Sequence, residues 1–160
     1  MYATIELIKA FINVAWRWRF RRRFIMIKID QRQLNQADVL ALYQAVGWNM
    51  YTRDPKKLER AIAQSLSVLG AYDGDQLVGL IRAVGDGETI LFIQDLLVLP
   101  SYQRQGIGRQ LVDALVDQFP QVRQRVLLTD DQPQTRAFYE NIGFVQSSKV
   151  GVIAFYQDLT

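Results

Sequence analysis

Apolar and polar positions along this chain fall into two alternating periods. Short β-type runs occur at Ile25–Ile29, Ser67–Tyr72, Gln76–Val84, Ile90–Leu99, Arg125–Thr129 and Val150–Leu159. Between them lie segments of helical spacing. Ala37, Leu40, Ala41 and Val46 mark one over residues 36–46, and Leu58, Ile62 and Leu66 mark a second over 53–66. Asp54 and Pro55 give the second helix an N-cap and a first-turn proline. A third helix, opened by Gly106 and Gly108, carries Leu111, Leu115 and Phe119 on one face, and a fourth runs from Gln134 to its closing Gly143. Asp73-Gly74-Asp75 joins two of the strands as a tight hairpin turn. The predicted order is β-α-α-β-β-β-α-β-α-β, an α/β (α+β) fold with a mixed sheet and helices on both sides.

Composition narrows the chemistry this pattern can carry. The 160 residues suit one domain with a sizeable core. The chain has no cysteine and no histidine. Disulfides, thiolate metal sites, cysteine nucleophiles and serine–histidine triads are therefore excluded, and no metal is expected. Chemistry must rest on Tyr, Asp, Glu, Lys, Ser, Thr, main-chain groups or water.

The net charge of +3 is divided unevenly. The first 25 residues hold six basic side chains against Glu6 alone, leaving 13 basic and 15 acidic ones for residues 26–160. The body is mildly acidic, so nucleic-acid binding by it has no electrostatic support. Residues 1–25 read as a basic extension before a domain over 26–160. Glu6, Lys9 and Asn13 interrupt its apolar stretch too often for a membrane span, and it lacks the order of a secretory signal. Arginines beside Trp16, Trp18 and Phe20 suit an anionic membrane or nucleic-acid surface. An unstructured arm, a start upstream of the true one at Met26, and a helix packed on a neighbouring subunit are the other readings. Cytoplasmic localisation is expected.

The most informative stretch is Leu99–Leu115, LPSYQRQGIGRQLVDAL. A glycine-bearing bend between a strand and a helix aims main-chain N–H groups outward at the positive end of the helix dipole, an arrangement that receives phosphate oxygens. Gly106 and Gly108 are expected to give a ligand access to the backbone, with Arg104 and Arg109 neutralising a pyrophosphate from the rim. Other phosphate loops fit less well. A dinucleotide fingerprint needs a third glycine where Leu111 stands, and the P-loop needs a Gly-Lys-Ser/Thr that is absent.

DLLVLPSYQRQGIGRQLV resembles the coenzyme-binding segment of the Gcn5-related N-acetyltransferases (GNAT), whose pattern Arg/Gln-x-x-Gly-x-Gly/Ala is met by Gln103, Arg104, Gln105, Gly106, Ile107 and Gly108. RAFYENIGF, Arg136–Phe144, resembles the family's second hallmark, in the expected order. The resemblance implies a mostly antiparallel sheet and acetyl-CoA as cosubstrate. Its pyrophosphate would lie on the 103–109 loop, and main-chain groups near Leu97 and Val98 would hold the pantetheine arm. The segment from Ala45 to Val84 is similar to small arylalkylamine (serotonin) acetyltransferase-like members. That implies a small-molecule amine acceptor, with Trp48 and Tyr51 as pocket walls, and a homodimer.

The resemblance also implies direct attack of a neutral amine on the thioester. An alkylamine is only ~0.04% neutral at pH 7, so a proton acceptor is needed, and the departing thiolate needs a donor. Tyr139, in the position of the family's tyrosine, is the expected donor. Several members carry Glu where this chain has Gln94, which cannot accept a proton. A water chain ending at Asp95 is the expected acceptor route, with Asp130 and Asp131 as further carboxylates. An acyl-CoA-binding sensor without catalysis is the alternative function.

Overall fold

The structure, a computed structural model, describes residues 26–157. The basic extension 1–25 lies outside the described residues, as do the last three. Five strands form one sheet in chain order: β1 (Ile27–Asp30), β2 (Ser67–Asp73), β3 (Gln76–Gly85), β4 (Ile90–Val98) and β5 (Gln124–Leu127). The first three pairings are antiparallel, and β4 pairs β5 in parallel. The parallel step requires a crossover, supplied by a helix as expected for this geometry.

Helices α1 (Gln36–Ala45), α2 (Asn49–Thr52) and α3 (Pro55–Ala63) precede β2, α4 (Ile107–Asp117) makes the crossover, and α5 (Pro133–Asn141) follows β5. Asn35 caps α1 through a 2.8 Å bond from Ala37 N, and Asp54 caps α3 at 3.0 Å from Lys57 N. Leu69, Ala71, Ile81 and Leu91 of the sheet bury against Ile107, Leu111 and Leu115 of α4. The opposite face buries Leu80 and Leu97 beneath Val39, Leu42, Tyr43 and Leu58 of α1 and α3. Each fully buried leucine contributes ~1.5–3 kcal/mol, so the two layers together hold the sheet from both sides.

Two irregularities in this frame matter for the site. Arg82 stands opposite Asp95, whereas Ala83 stands opposite Ile93. Gln94 is thus an extra residue in β4, a bulge. Before it, odd-numbered Leu91 and Ile93 face α4. After it, Asp95 and Leu97 face α1 while Leu96 and Val98 take the α4 side. The second irregularity is that β4 and β5 pair only from Ile90↔Gln124 to Ile93↔Leu127, so the two strands part at the bulge.

Among the described residues the predicted last strand does not form. A 3-10 turn at Ser147–Val150 is followed by residues 152–157 without regular structure, and Phe155 is 92% exposed. A strand requires a neighbour for its main-chain groups, and this segment pairs with none of the five strands.

Candidate functional site

The parting of β4 from β5 opens a cavity of about 750 Å³, within the range of small-molecule and cofactor sites. One end is the turn leading into α4. Gln103 donates from Nε2 to Val98 O at 3.0 Å, fixing the turn to the end of β4. Arg104 (φ 59°) and Gly106 (φ 81°) both take the left-handed conformation. The first main-chain bond of the helix runs from Gln110 N to Gly106 O at 3.0 Å, and the N–H groups before it have no intrahelical acceptor. Arg104, Gly106, Ile107, Gly108 and Arg109 all border the cavity. Gln105 does not, and it instead donates to Ser101 O at 3.2 Å, bracing the loop.

The two glycines serve different ends. A side chain at Gly106 would meet only Gln110 Nε2, at 3.9 Å, so the positive φ is what this position demands. A β-carbon at Gly108 would lie 3.3 Å from Phe138 Cζ and 3.9 Å from Leu96 Cδ2. Gly108 therefore lets α4 approach α5 and β4, a packing role the sequence did not show, at a residue that also borders the cavity.

Leu97 also departs from expectation. Leu99 N donates to Val78 O at 2.8 Å, so strand alternation turns the main-chain groups of Leu97 toward β3 as well. Its side chain is buried in the α1 layer. The groups of Leu96 and Val98 face the gap instead, and both residues border the cavity.

Trp48, Gln94, Asp130, Phe138 and Tyr139 also border the cavity. Trp48 stacks on Tyr51 with ring centroids 5.5 Å apart, and Gln94 Nε2 donates to Tyr51 Oη at 3.2 Å. Tyr51 thus backs the wall that Trp48 and Gln94 form. Tyr139 packs edge-on to Phe138 at 5.0 Å and to Phe144 at 5.8 Å. Burial raises its phenol pKa above the ordinary value, and the negative charge of Asp130 adds to the rise. Among the described residues, Asp130 is the one carboxylate in the cavity wall.

Asp95 is placed elsewhere. It is 1% exposed, paired with the equally enclosed Arg82 through Nε and Oδ2, and it accepts a bond from Tyr43 Oη at 2.7 Å. Burial and this carboxylate push the Tyr43 phenol far upward, and burial followed by the same charge raises Tyr51. Burial opposes the charge on Arg82, yet the bond and attraction to Asp95 raise its pKa. Held by Arg82 and Tyr43 through Oδ2, this carboxylate does not border the cavity, so its place in the fold departs from the acceptor route expected of Asp95. Arg82 and Tyr43 escaped the sequence reading. The signal was available: single opposite charges stand in the middle of the two most apolar runs, LVGLIRAV and ILFIQDLLV.

The chain belongs to the GNAT family of N-acetyltransferases: residues 36–154 match the model of the acetyltransferase (GNAT) domain. A GNAT-family acetyltransferase structure from Streptococcus pneumoniae is 42% identical, with a TM-score of 0.75 over 83% of this chain and 98% of that one. The ycf52 N-acetyltransferase of Pyropia yezoensis, itself uncharacterized, is 27% identical over 73% of this chain and 68% of its own length. An N-acetyltransferase of Thermoplasma acidophilum solved with coenzyme A shares the fold at 17% identity, with a TM-score of 0.67 over 75% of this chain and 90% of that one. Among the described residues no helix is long and apolar enough to cross a membrane.

Proposed function

We propose that this acetyltransferase moves the acetyl group of acetyl-CoA to a primary amine on a small molecule, an arylalkylamine being the best-fitting class, by direct attack within a ternary complex. The observation that carries this reading is one continuous cavity, running from the cationic turn at Arg104 and Arg109 to the aromatic wall at Trp48.

The residues present fit the cosubstrate. Unclaimed N–H groups of the first turn of α4, with Arg104 and Arg109, suit its pyrophosphate. The exposed main-chain edge at Leu96 and Val98 suits the amides of its pantetheine arm. Bound there, it supplies an activated acyl group. Trp48, backed by Tyr51, offers an aromatic ring a flat apolar surface. The buried Tyr139 phenol stays protonated and donates a hydrogen bond toward the departing sulfur, a role its raised pKa favours over full proton transfer. The amine's proton leaves through water along the wall that holds Asp130. Asp95 acts as a positioning residue, since it fixes Arg82, Tyr43 and the bulge that presents Gln94.

A thiol-release assay with acetyl-CoA over arylalkylamines, polyamines, amino acids and lysine peptides tests the reading. Arylalkylamines are expected to give the highest kcat/KM. Preference for polyamines or peptides would overturn the acceptor class, and acetyl-CoA hydrolysis unaffected by any amine would overturn the transfer.

A further inference from the structure

We infer that Gln94 is the group that receives the acceptor amine: its Oε1 accepts a hydrogen bond from the attacking N–H, in an orientation set by Tyr51. The inference deepens the acetyl-transfer reading above and rests on it. Three observations carry it, and the first is place. β4 and β5 last pair at Ile93↔Leu127, and Gln94, the bulged residue, is the next in β4. It therefore stands where the strands part, bordering the cavity together with Ile93, Leu96 and Trp48. A cosubstrate arm laid along Val98 and Leu96 runs up the same strand toward Gln94, about 13 Å from Val98 at the rise of an extended chain.

The second observation is the state of the carboxamide. Its Nε2 donates to Tyr51 Oη at 3.2 Å, and Tyr51 does not border the cavity. That bond ties down the nitrogen end. Among the described residues nothing donates to Oε1, and this oxygen is not enclosed. An amide oxygen without a protein partner, beside Ile93, Leu96 and Trp48, finds its match in a ligand N–H.

Third, the end of the amide that is presented is fixed. Turned over, it would offer its NH2 group to the cavity and need a hydrogen from Tyr51. Burial and then the negative charge of Asp95 keep that hydrogen on the phenol, and Asp95 Oδ1, buried with no donor of its own, draws it away from Gln94. The Tyr51 oxygen is left to accept, so Gln94 must show it Nε2. Tyr51 is thereby a positioning residue, its ring held by stacking on Trp48 at 5.5 Å.

The consequence for the reaction is geometric. One N–H of the amine is held at Oε1, and the lone pair is left for the thioester carbon. The amide neither gains nor loses a proton, so the amine's proton still leaves through water. A carboxylate in this place would offer two equal oxygens and need no anchor, whereas an amide has one accepting end.

That contrast gives the test, steady-state kinetics with phenethylamine and acetyl-CoA. Gln94→Met removes the acceptor and should lower kcat/KM for the amine at least about tenfold, with the KM for acetyl-CoA within about twofold of wild type. Gln94→Glu restores an oxygen and should recover most of that loss. Tyr51→Phe keeps the ring and should cost the wild type about threefold or more, yet less than about twofold in the Gln94→Glu background. A kcat/KM for Gln94→Met within about twofold of wild type would overturn the role, as would equal losses on Tyr51→Phe in both backgrounds. A wild type inactive on every amine would overturn the transfer reading instead, and calorimetry of phenethylamine on the coenzyme A complex then decides Gln94. Binding weakened at least about tenfold by Gln94→Met supports the assignment, and binding that is absent or unaltered overturns it.

Discussion

Tyr139 shows how far a single residue's chemistry follows from its surroundings. Its ring is held by Phe138 and Phe144, and it borders the same cavity as Asp130, whose charge adds to the rise of its pKa. Tyr139→Phe keeps the ring and removes only the oxygen, so stability should change little. A hydrogen bond made chiefly in the transition state is lost, and kcat should fall at least about tenfold with the KM for acetyl-CoA nearly unchanged. Steady-state kinetics with a saturating amine measures this. A kcat within about twofold of wild type would remove Tyr139 from the mechanism. The residue itself was legible in RAFYENIGF, but the direction of its pKa shift was not, because burial and the nearness of Asp130 are properties of the assembled wall.

At the scale of elements, the junction of β4 and α4 is where sequence and structure agree on place and differ on cause. The bend, the helix and the cationic rim are all written locally. The separate duties of the two glycines are not, since Phe138 comes from a helix thirty positions away. This difference is testable. Gly106→Val forces a branched residue into φ 81°, costing about 1–2 kcal/mol in the loop itself, and acetyl-CoA affinity by calorimetry should fall at least about tenfold. Gly108→Val drives a side chain into Phe138 and Leu96, so its larger effect should be a lowered Tm, as overpacking typically costs about 1–3 kcal/mol. An unchanged Tm for Gly108→Val would show that close approach of α4 to α5 is not what that glycine serves.

Across the whole molecule, the buried pair of Arg82 and Asp95 links the centre of the sheet to α1 through Tyr43. Asp95→Asn leaves a guanidinium enclosed without its counter-charge. Removing one partner of a buried pair costs about 3–5 kcal/mol, a fall in Tm on the order of 10 °C for a domain of this size. Well below that Tm, the pH profile of kcat should keep its wild-type form, because the carboxylate does not border the cavity. A lost limb in that profile would restore Asp95 to proton transfer and contradict its positioning role.

Hydrophobic period, caps and turn residues act within a few positions of one another. For that reason the sequence by itself determined the element order from β1 to α5 apart from the one-turn α2, the two apolar layers, and the glycine turn with its two arginines. It also determined that no histidine or cysteine takes part. Tertiary structure decided what depends on pairing between distant strands. The bulge at Gln94 shifts the face of every later residue in β4, which sent Asp95 to the core and turned Leu97 away from the gap. The parting of β4 from β5 made the cavity. The last apolar run carries a strand's pattern, but a strand exists only beside another, and among the described residues the run joins none of the five strands.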